Sequence, residues 1–345
     1  MRIIAQPAFV NRASNPYNWL LYTHIREFGV EVDEYSGAAL LRRQYSIWHL
    51  HWPEVRLNNR SSRRVLARIL SLRYLLERVR RRGTKVVWTV HNLNSHEQQH
   101  PRMEKLLWRT FLPMVDGFIS LSDAGRSAAT VRFPQLSSVP AFIVPTGHYR
   151  GIYPNEVSRE QARAALNIPP DMKVIAFVGL IRQYKNIPHL IRVFNEMADP
   201  DTLLLVQGRV WWPETAENIR RAAGSNPQVR LKLDFVPDDR LQVYLNAADL
   251  VVLPFTEILN SGSALLALSY DRPIMVPDLG AMAELKTAVG GEWVRTYRGE
   301  LNGSELRTAL DWALQRSEAD SAPLDLFSWG RVAGQTAAAY RELIG

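Results

Sequence analysis

Val174-Ile-Ala-Phe-Val-Gly-Leu-Ile-Arg-Gln-Tyr-Lys-Asn-Ile-Pro-His-Leu190 sets the terms for the whole chain. The β-branched and apolar run Val174–Val178 reads as a buried strand that stops at Gly179. Arg182 and Lys185 follow at once, and a helical pattern starts at Pro188 with Leu190, Ile191 and Phe194. A strand that ends in glycine and offers two cations ahead of a helix suits an anion, a diphosphate above all, at the edge of a parallel sheet. The competing reading is a solvated loop with two surface cations. A second turn favours the anion. The strand Leu250-Val-Val-Leu-Pro254 leads through Phe255-Thr-Glu-Ile-Leu-Asn-Ser-Gly-Ser263 into the apolar helix Ala264–Leu268. Small residues ahead of a helix leave amide N–H groups free for negative charge, although a serine there is also an ordinary cap.

The same alternation runs along the rest of the chain. Strands are expected at Arg2–Ala5, Ser46–Leu50, Lys85–Val90, Gly117–Leu121 and Ala141–Val144, then at Thr202–Gln207, Val229–Leu233 and Ile274–Val276. Helices are expected at Tyr17–Phe28, Ser62–Arg82, His100–Phe111 and Ala124–Arg132, then at Thr215–Ala223, Asp238–Ala247 and Ser304–Arg316. Strands alternating with helices predict parallel α/β sheets with right-handed crossovers. Two such sets predict two Rossmann-like domains. The break falls in the Gly- and Pro-containing stretch between Tyr149 and Met172, which gives domains of 1–155 and 156–326. Ligands of such sheets sit beyond the carboxyl ends of the strands, so two facing domains would hold theirs in the cleft between them.

The chain has 345 residues, of which 46% are hydrophobic, and no apolar run reaches membrane-spanning length. Met1-Arg-Ile-Ile-Ala5 opens directly on a strand, so no signal peptide is expected. The absence of cysteine excludes disulfides and thiolate metal sites and suits a reducing cytoplasm. A net charge of +8 and a pI near 9.8 call for an anionic partner. Much of that charge lies between Arg60 and Lys85, where Arg63, Arg64, Arg68, Arg73, Arg78, Arg80, Arg81 and Arg82 face a single acid, Glu77. Val65, Leu66, Ile69, Leu70, Leu72, Leu75, Leu76 and Val79 recur among them as the stripe of an amphipathic helix. The expected partner of such a helix is an anionic membrane surface; the competing reading is a core-facing helix with a solvated basic face. No helix-turn-helix, zinc-finger or RNA-recognition signature accompanies the charge, and nucleic acid is not expected.

The chain resembles the GT-B glycosyltransferases of the glycogen-synthase-like superfamily. Gly179-Leu-Ile-Arg-Gln-Tyr-Lys185 is similar to their diphosphate loop, and Leu253-Pro254 through Asp271-Arg-Pro273 to their donor-binding strand, loop and helix. Phe327-Ser-Trp-Gly-Arg-Val-Ala333 with Tyr340 resembles their closing helix, which implies that 327–345 crosses back to the first domain. One departure stands out. The paired glutamates of that superfamily fall on Ile258 and Leu266, so the ribose contact is missing, with Glu257 one position from the first. A narrower resemblance accounts for this. His49-Leu-His-Trp-Pro-Glu54, His91-Asn-Leu-Asn-Ser-His-Glu97, Gly147-His-Tyr-Arg150, Asn260-Ser-Gly-Ser263 and Asn15-Pro-Tyr17 resemble motifs of the xanthan-type GDP-mannose:glycolipid β-mannosyltransferase family. That resemblance implies inverting transfer of mannose from GDP-mannose to a polyprenyl-diphosphate-linked saccharide.

Inversion needs a general base for the acceptor hydroxyl and stabilisation of the departing diphosphate. Arg182, Lys185, Gly179 and the Ser261-Gly262-Ser263 turn meet the second need, with His148, Tyr149, Glu257, Phe235 and Val236 as further donor contacts. No Asp-x-Asp motif is placed to hold a metal, since Asp199-Pro200-Asp201 precedes a strand instead of following one, so neither metal nor cofactor is expected beyond the nucleotide sugar. For the base, Glu97, Glu54 and Asp123 each follow a strand end; Glu97 is preferred over Glu54, with His91 assisting. His51, Trp52, Asn92, His96, Asn15 and Tyr17 are expected to meet the acceptor. The expected location is cytoplasmic, peripheral on the inner face of the plasma membrane. Three alternatives stay open: a retaining transferase with a donor such as UDP-glucose, a non-catalytic binder of saccharide or nucleotide, and a sugar-nucleotide epimerase.

Overall fold

The computed structural model describes residues 1–13, 15–93, 100–317 and 319–345. It divides into two compact units, residues 1–147 with 327–345, and residues 148–326. In the first, β1 (Arg2–Gln6), β2 (Glu31–Glu34), β3 (Ile47–Leu50), β4 (Lys85–Val90), β5 (Gly117–Ser120) and β6 (Ala141–Ile143) form one sheet in the order β2-β1-β3-β4-β5-β6. All neighbours are parallel, with Ile3 beside Ile47 and Leu50 beside Trp88. Helices α1 (Tyr17–His24), α2 (Gly37–Arg42), α3 (Ser62–Arg80), α4 (Pro101–Phe111) and α5 (Asp123–Arg132) belong to the same unit.

The second unit holds β7 (Lys173–Val178), β8 (Thr202–Gln207), β9 (Val229–Lys232), β10 (Leu250–Val252), β11 (Ile274–Pro277) and β12 (Val294–Tyr297) in the order β12-β11-β10-β7-β8-β9, again parallel. Its helices are α6 (Arg159–Ala165), α7 (Ile187–Met197), α8 (Pro213–Ala223), α9 (Leu241–Ala247), α10 (Gly262–Ser269), α11 (Met282–Val289) and α12 (Gly303–Leu314). The last helix, α13 (Trp329–Ile344), belongs to the first unit and packs on α1.

The inner strands are almost continuously apolar because helices cover both faces of each sheet, as in β8, where all six residues are buried. β2 and β12 were not expected, and both are edge strands. Glu31-Val-Asp-Glu34 buries only Val32, so it carries no hydrophobic run to read. The helix expected over Tyr17–Phe28 leaves α-geometry at His24 and ends as a 3₁₀ turn, closed by Gly29 at φ +73°.

Each sheet has a switch point where the strand order reverses, between β1 and β3 in the first and between β7 and β10 in the second. Ligands of open α/β sheets collect there. Arg182 and Lys185 follow β7 and the Ser261 turn follows β10, so the two anion-competent loops flank the second switch point.

Candidate active-site residues

In the second unit the chain turns at Gly179, φ +140°. A Cβ on Gly208 would lie 1.8 Å from the Gly179 carbonyl oxygen, so the loop after β8 lies flush against the loop after β7 only because residue 208 is glycine. A 3₁₀ turn over Gln183–Lys185 then carries Lys185 inward to 6% exposure. Its ammonium sits 4.1 Å over the Phe255 ring and 5.2 Å over Tyr184, and among the described residues it has no ion-pair partner. Burial first, and the nearby Arg182 charge second, hold its pKa down to about 7. The Arg182 guanidinium lies 5.2 Å over Trp211, and its buried Nε has no hydrogen-bond partner among the described residues.

The loop after β10 is tied to this turn by the Thr256 amide, which donates to the Tyr184 carbonyl at 2.9 Å. Ser261 caps α10, its Oγ accepting from the Ala264 amide at 3.1 Å. The amides of Gly262 and Ser263 open that helix, where no carbonyl of the helix can reach them. Ser263 Oγ stands 3.4 Å from the place a Cβ on Gly179 would take, and the Tyr149 hydroxyl 3.1 Å from that of Gly262, so both side chains border the turns. Burial pushes the Tyr149 phenol up to about 12, which keeps it a donor. Asn260 is a further member: both polar atoms of its amide are buried without a partner among the described residues. Glu257 is exposed, Phe235 is 62% exposed beside the buried Val236, and Trp211 and Trp212 are exposed. His148 Nδ1 accepts from the Arg150 amide at 3.2 Å, and burial lowers its pKa. Leu266 lies half-buried on α10, so no acid occupies that position.

In the first unit the alternation of β3 puts His49 and His51 on one face, and both are fully buried. The Tyr22 hydroxyl, from α1, bonds His49 Nδ1 at 2.8 Å and also His51 Nε2. Tyr340 of α13 reaches His49 Nδ1 at 2.6 Å, and Thr89 of β4 meets His49 Nε2 at 2.7 Å. His51 Nδ1 lies 3.0 Å from His91 Nε2. The His91 ring stacks on Trp52 with centroids 4.3 Å apart and meets Tyr17 edge-on at 5.1 Å. Burial holds His49 and His91 down to about 3 and His51 well below its ordinary value, so all three are neutral at working pH.

Glu54 sits nearby on a 3₁₀ turn over Pro53–Leu57 and is 7% exposed. Its Oε1 accepts from Asn92 Nδ2 at 3.2 Å, and burial drives its pKa up to about 7, the range a general base needs near neutrality.

Several expectations change here. His51 is fully buried, with Nε2 on the Tyr22 hydroxyl and Nδ1 on His91, so it presents no exposed surface of its own. Tyr17, 4% exposed, buttresses His91 and His51, while Asn15 Oδ1 accepts from the Tyr17 amide at 3.1 Å and fixes the start of α1. Asp123 pairs with Arg126 at 2.7 Å in the first turn of α5. Glu97 and His96 lie outside the described residues. The sequence reading missed Tyr22 and Thr89 and gave Tyr340 no role beyond the closing helix; the i, i+2 spacing of His49 and His51 was the available signal, since two imidazoles on one buried face need partners. Among the described residues no group of three or more His, Asp or Glu is arranged to hold a metal.

Residues 158–266 match the family model described as glycosyl transferases group 1. Over 335 residues the chain is 30% identical to the GDP-mannose:glycolipid 4-beta-D-mannosyltransferase of Xanthomonas campestris pv. campestris, covering 97% of this chain and 90% of that protein. Among solved structures, sucrose-phosphate synthase from Thermosynechococcus elongatus superposes with a TM-score of 0.67 at 15% identity, covering 100% of this chain and 95% of that one. Anabaena HepE in complex with UDP-glucose gives 0.65 at 13% identity, with 100% and 98% covered. These two show the fold, which is GT-B. The chain is therefore a glycosyltransferase of the group 1, GT-B class, and it belongs to the family of the GDP-mannose:glycolipid 4-beta-D-mannosyltransferase.

Proposed function

We propose that this glycosyltransferase moves mannose from GDP-mannose to a saccharide carried on a lipid, inverting the anomeric carbon. The grip on the second unit carries the reading: among the described residues, a lysine buried without an acid, an arginine whose buried Nε lacks a partner, and the opening amides of α10 together suit a diphosphate. Mannose, guanosine and a glycolipid acceptor are supported by the name of the Xanthomonas relative. In the proposed step the acceptor hydroxyl oxygen forms the new bond to the anomeric carbon as the bond to the phosphate oxygen breaks. The electron pair leaves on GDP, where Lys185, Arg182, the Gly262 and Ser263 amides and the Tyr149 hydroxyl receive the charge without recourse to a metal. The hydroxyl proton passes to Glu54, with His91 orienting the acceptor. Phe235 and the backbone at Val236 would border the base, and Glu257 the ribose. A peripheral position on the cytoplasmic face of the plasma membrane belongs to the same reading.

The test is direct. GDP, and not UDP, ADP or dTDP, should raise the melting temperature by mass action. GDP-mannose with a diphosphate-linked glycolipid should then yield a product whose new linkage is β by NMR. An α-linkage would indicate retention. Nucleotide binding without transfer would favour a non-catalytic binder, a reading that the leucine at position 266 supports.

A further inference from the structure

The last residue of β8, Gln207, is 1% exposed, and only half of its amide is used. Its Nε2 donates to the Asp234 carbonyl at 3.2 Å, while Oε1 is buried with no hydrogen-bond partner among the described residues. A carbonyl can only accept, so Asp234 decides which end of the amide faces it. The orphan atom is therefore an acceptor. Burying an acceptor without a donor is costly, and such a group in a native structure calls for something that completes it.

The loop that Gln207 holds has little else to fix it. Residues 233–236 follow β9, and among the described residues their one hydrogen bond is the one that Gln207 gives to Asp234. The amides of Asp234, Phe235 and Val236 donate to no group there, and the Phe235 ring is exposed. A buried amide oxygen, unpaired amide donors and an exposed aromatic ring thus share the carboxyl ends of β8 and β9. In the order β10-β7-β8-β9, the gap between β8 and β9 lies two strand spacings, about 10 Å, from the gap that Lys185, Arg182 and the Ser261 turn flank. That is the reach of a nucleotide from its phosphates to its base.

We propose that Gln207 selects the base of the donor, and that the base is guanine. Oε1 accepts from the N1–H and 2-amino edge of guanine, an amide of residues 234–236 donates to its O6, and the Phe235 ring stacks on its face. Adenine reverses the pattern: it sets a ring-nitrogen lone pair against Oε1 and an amino group against the amide. Uracil offers an N3–H, but between two carbonyl oxygens, and its single ring stops short of a buried oxygen. Because Oε1 is covered in the free protein, the base meets it as residues 233–236 shift, which their sparse bonding permits. This inference deepens the reading of a GDP-sugar donor and rests on it.

Calorimetric titration with GDP, inosine diphosphate, ADP and UDP tests it. Wild-type protein should bind GDP about a hundredfold more tightly than ADP, with inosine diphosphate, which lacks the 2-amino group, in between. Gln207→Leu should weaken GDP by about tenfold to a hundredfold, erase the difference between GDP and inosine diphosphate, and leave ADP and inorganic diphosphate almost unchanged. Phe235→Ala should instead weaken every nucleotide alike, by about fivefold or more, as loss of stacking does. Equal losses of GDP and ADP in Gln207→Leu would make the side chain a structural latch for the loop and overturn the proposal. If that variant does not fold, the wild-type protein still decides, since equal affinities for GDP, inosine diphosphate and ADP would overturn it as well. Tight GDP binding that Gln207→Leu leaves intact would overturn this inference and leave the donor reading standing, whereas a wild-type preference for UDP would overturn both.

Discussion

Nδ1 of His51 and Nε2 of His91 are 3.0 Å apart, and both rings are neutral, so one nitrogen carries the shared proton and the other the lone pair. That choice fixes the far side of His91. When His91 donates, its Nδ1 presents a lone pair; when it accepts, its Nδ1 presents a proton. The Tyr22 hydroxyl on the other flank of His51 biases the outcome. Tyr22→Phe should therefore lower kcat by about tenfold with little change in donor KM, and cost about 1–3 kcal/mol for the stranded imidazole nitrogen. Tyr340→Phe should do less, because His49 Nδ1 keeps Tyr22. Steady-state kinetics and thermal melts check both. A shift confined to KM would show that the histidine chain does not serve the chemistry.

Lys185 should make donor binding depend on pH. Its free-protein pKa of about 7 lies well below the ordinary lysine value, and a bound diphosphate stabilises the ammonium. Above pH ~7, binding must take up a proton, so GDP affinity should fall by up to about tenfold per pH unit. Calorimetry at pH 8 in buffers of different ionisation enthalpy should register that uptake. Lys185→Ala should weaken GDP by about tenfold to a hundredfold and abolish the uptake.

Glu54 should set the acid limb of the rate profile. A carboxylate in the proposed role of base works only when ionised, so kcat/KM should rise through pH ~7, while loss of the Lys185 proton should lower it above that, giving a narrow bell. Glu54→Gln should reduce kcat by about 10²–10⁴ and remove the acid limb. The stability effect has the opposite sign. A carboxyl whose folded pKa is raised loses stability as pH climbs from its unfolded value to about 7, so the glutamine variant should be more stable above pH 7 by about 3 kcal/mol and no different below pH ~4. Melts across that range test it.

Asn260 should hold a donor hydroxyl. A buried amide with neither atom partnered is costly unless a ligand completes it. Asn260→Ala should raise the KM for the sugar nucleotide by about tenfold while leaving GDP alone almost unaffected. The free protein should melt no lower than wild type. Equal losses for GDP and GDP-mannose would place Asn260 with the nucleotide instead.

How much could be read in advance follows burial. β4 and β8 were legible to the residue because strands covered on both faces are largely apolar, while β2 and β12 were missed because Glu31-Val-Asp-Glu34 and Val294-Arg-Thr-Tyr297 mix charged and polar residues with too few apolar ones to leave a run. Arg182, Lys185 and the Ser261 turn were legible because their positions follow strand ends directly. The hydrogen-bonding roles of Tyr22, Thr89 and Tyr340 were not, since these residues come from a helix, a strand and a helix far apart in sequence, and each looks like ordinary core until His49 is found between them.

Helix α13 has a further consequence for how the molecule is made. It sets Tyr340 on His49, and its Trp329 fills the space that only a glycine at 147 leaves open, where a Cβ would come within 2.3 Å. The first unit is thus completed by residues 327–345, which follow the whole of 148–326 in the chain. Synthesis delivers the 148–326 unit whole before residues 1–147 can be sealed, so the usual order of vectorial folding, amino-terminal part first, is reversed for the step that closes the histidine chain. A nascent chain stalled before Trp329 should show protease resistance across 148–326 while 1–147 remains open to cleavage.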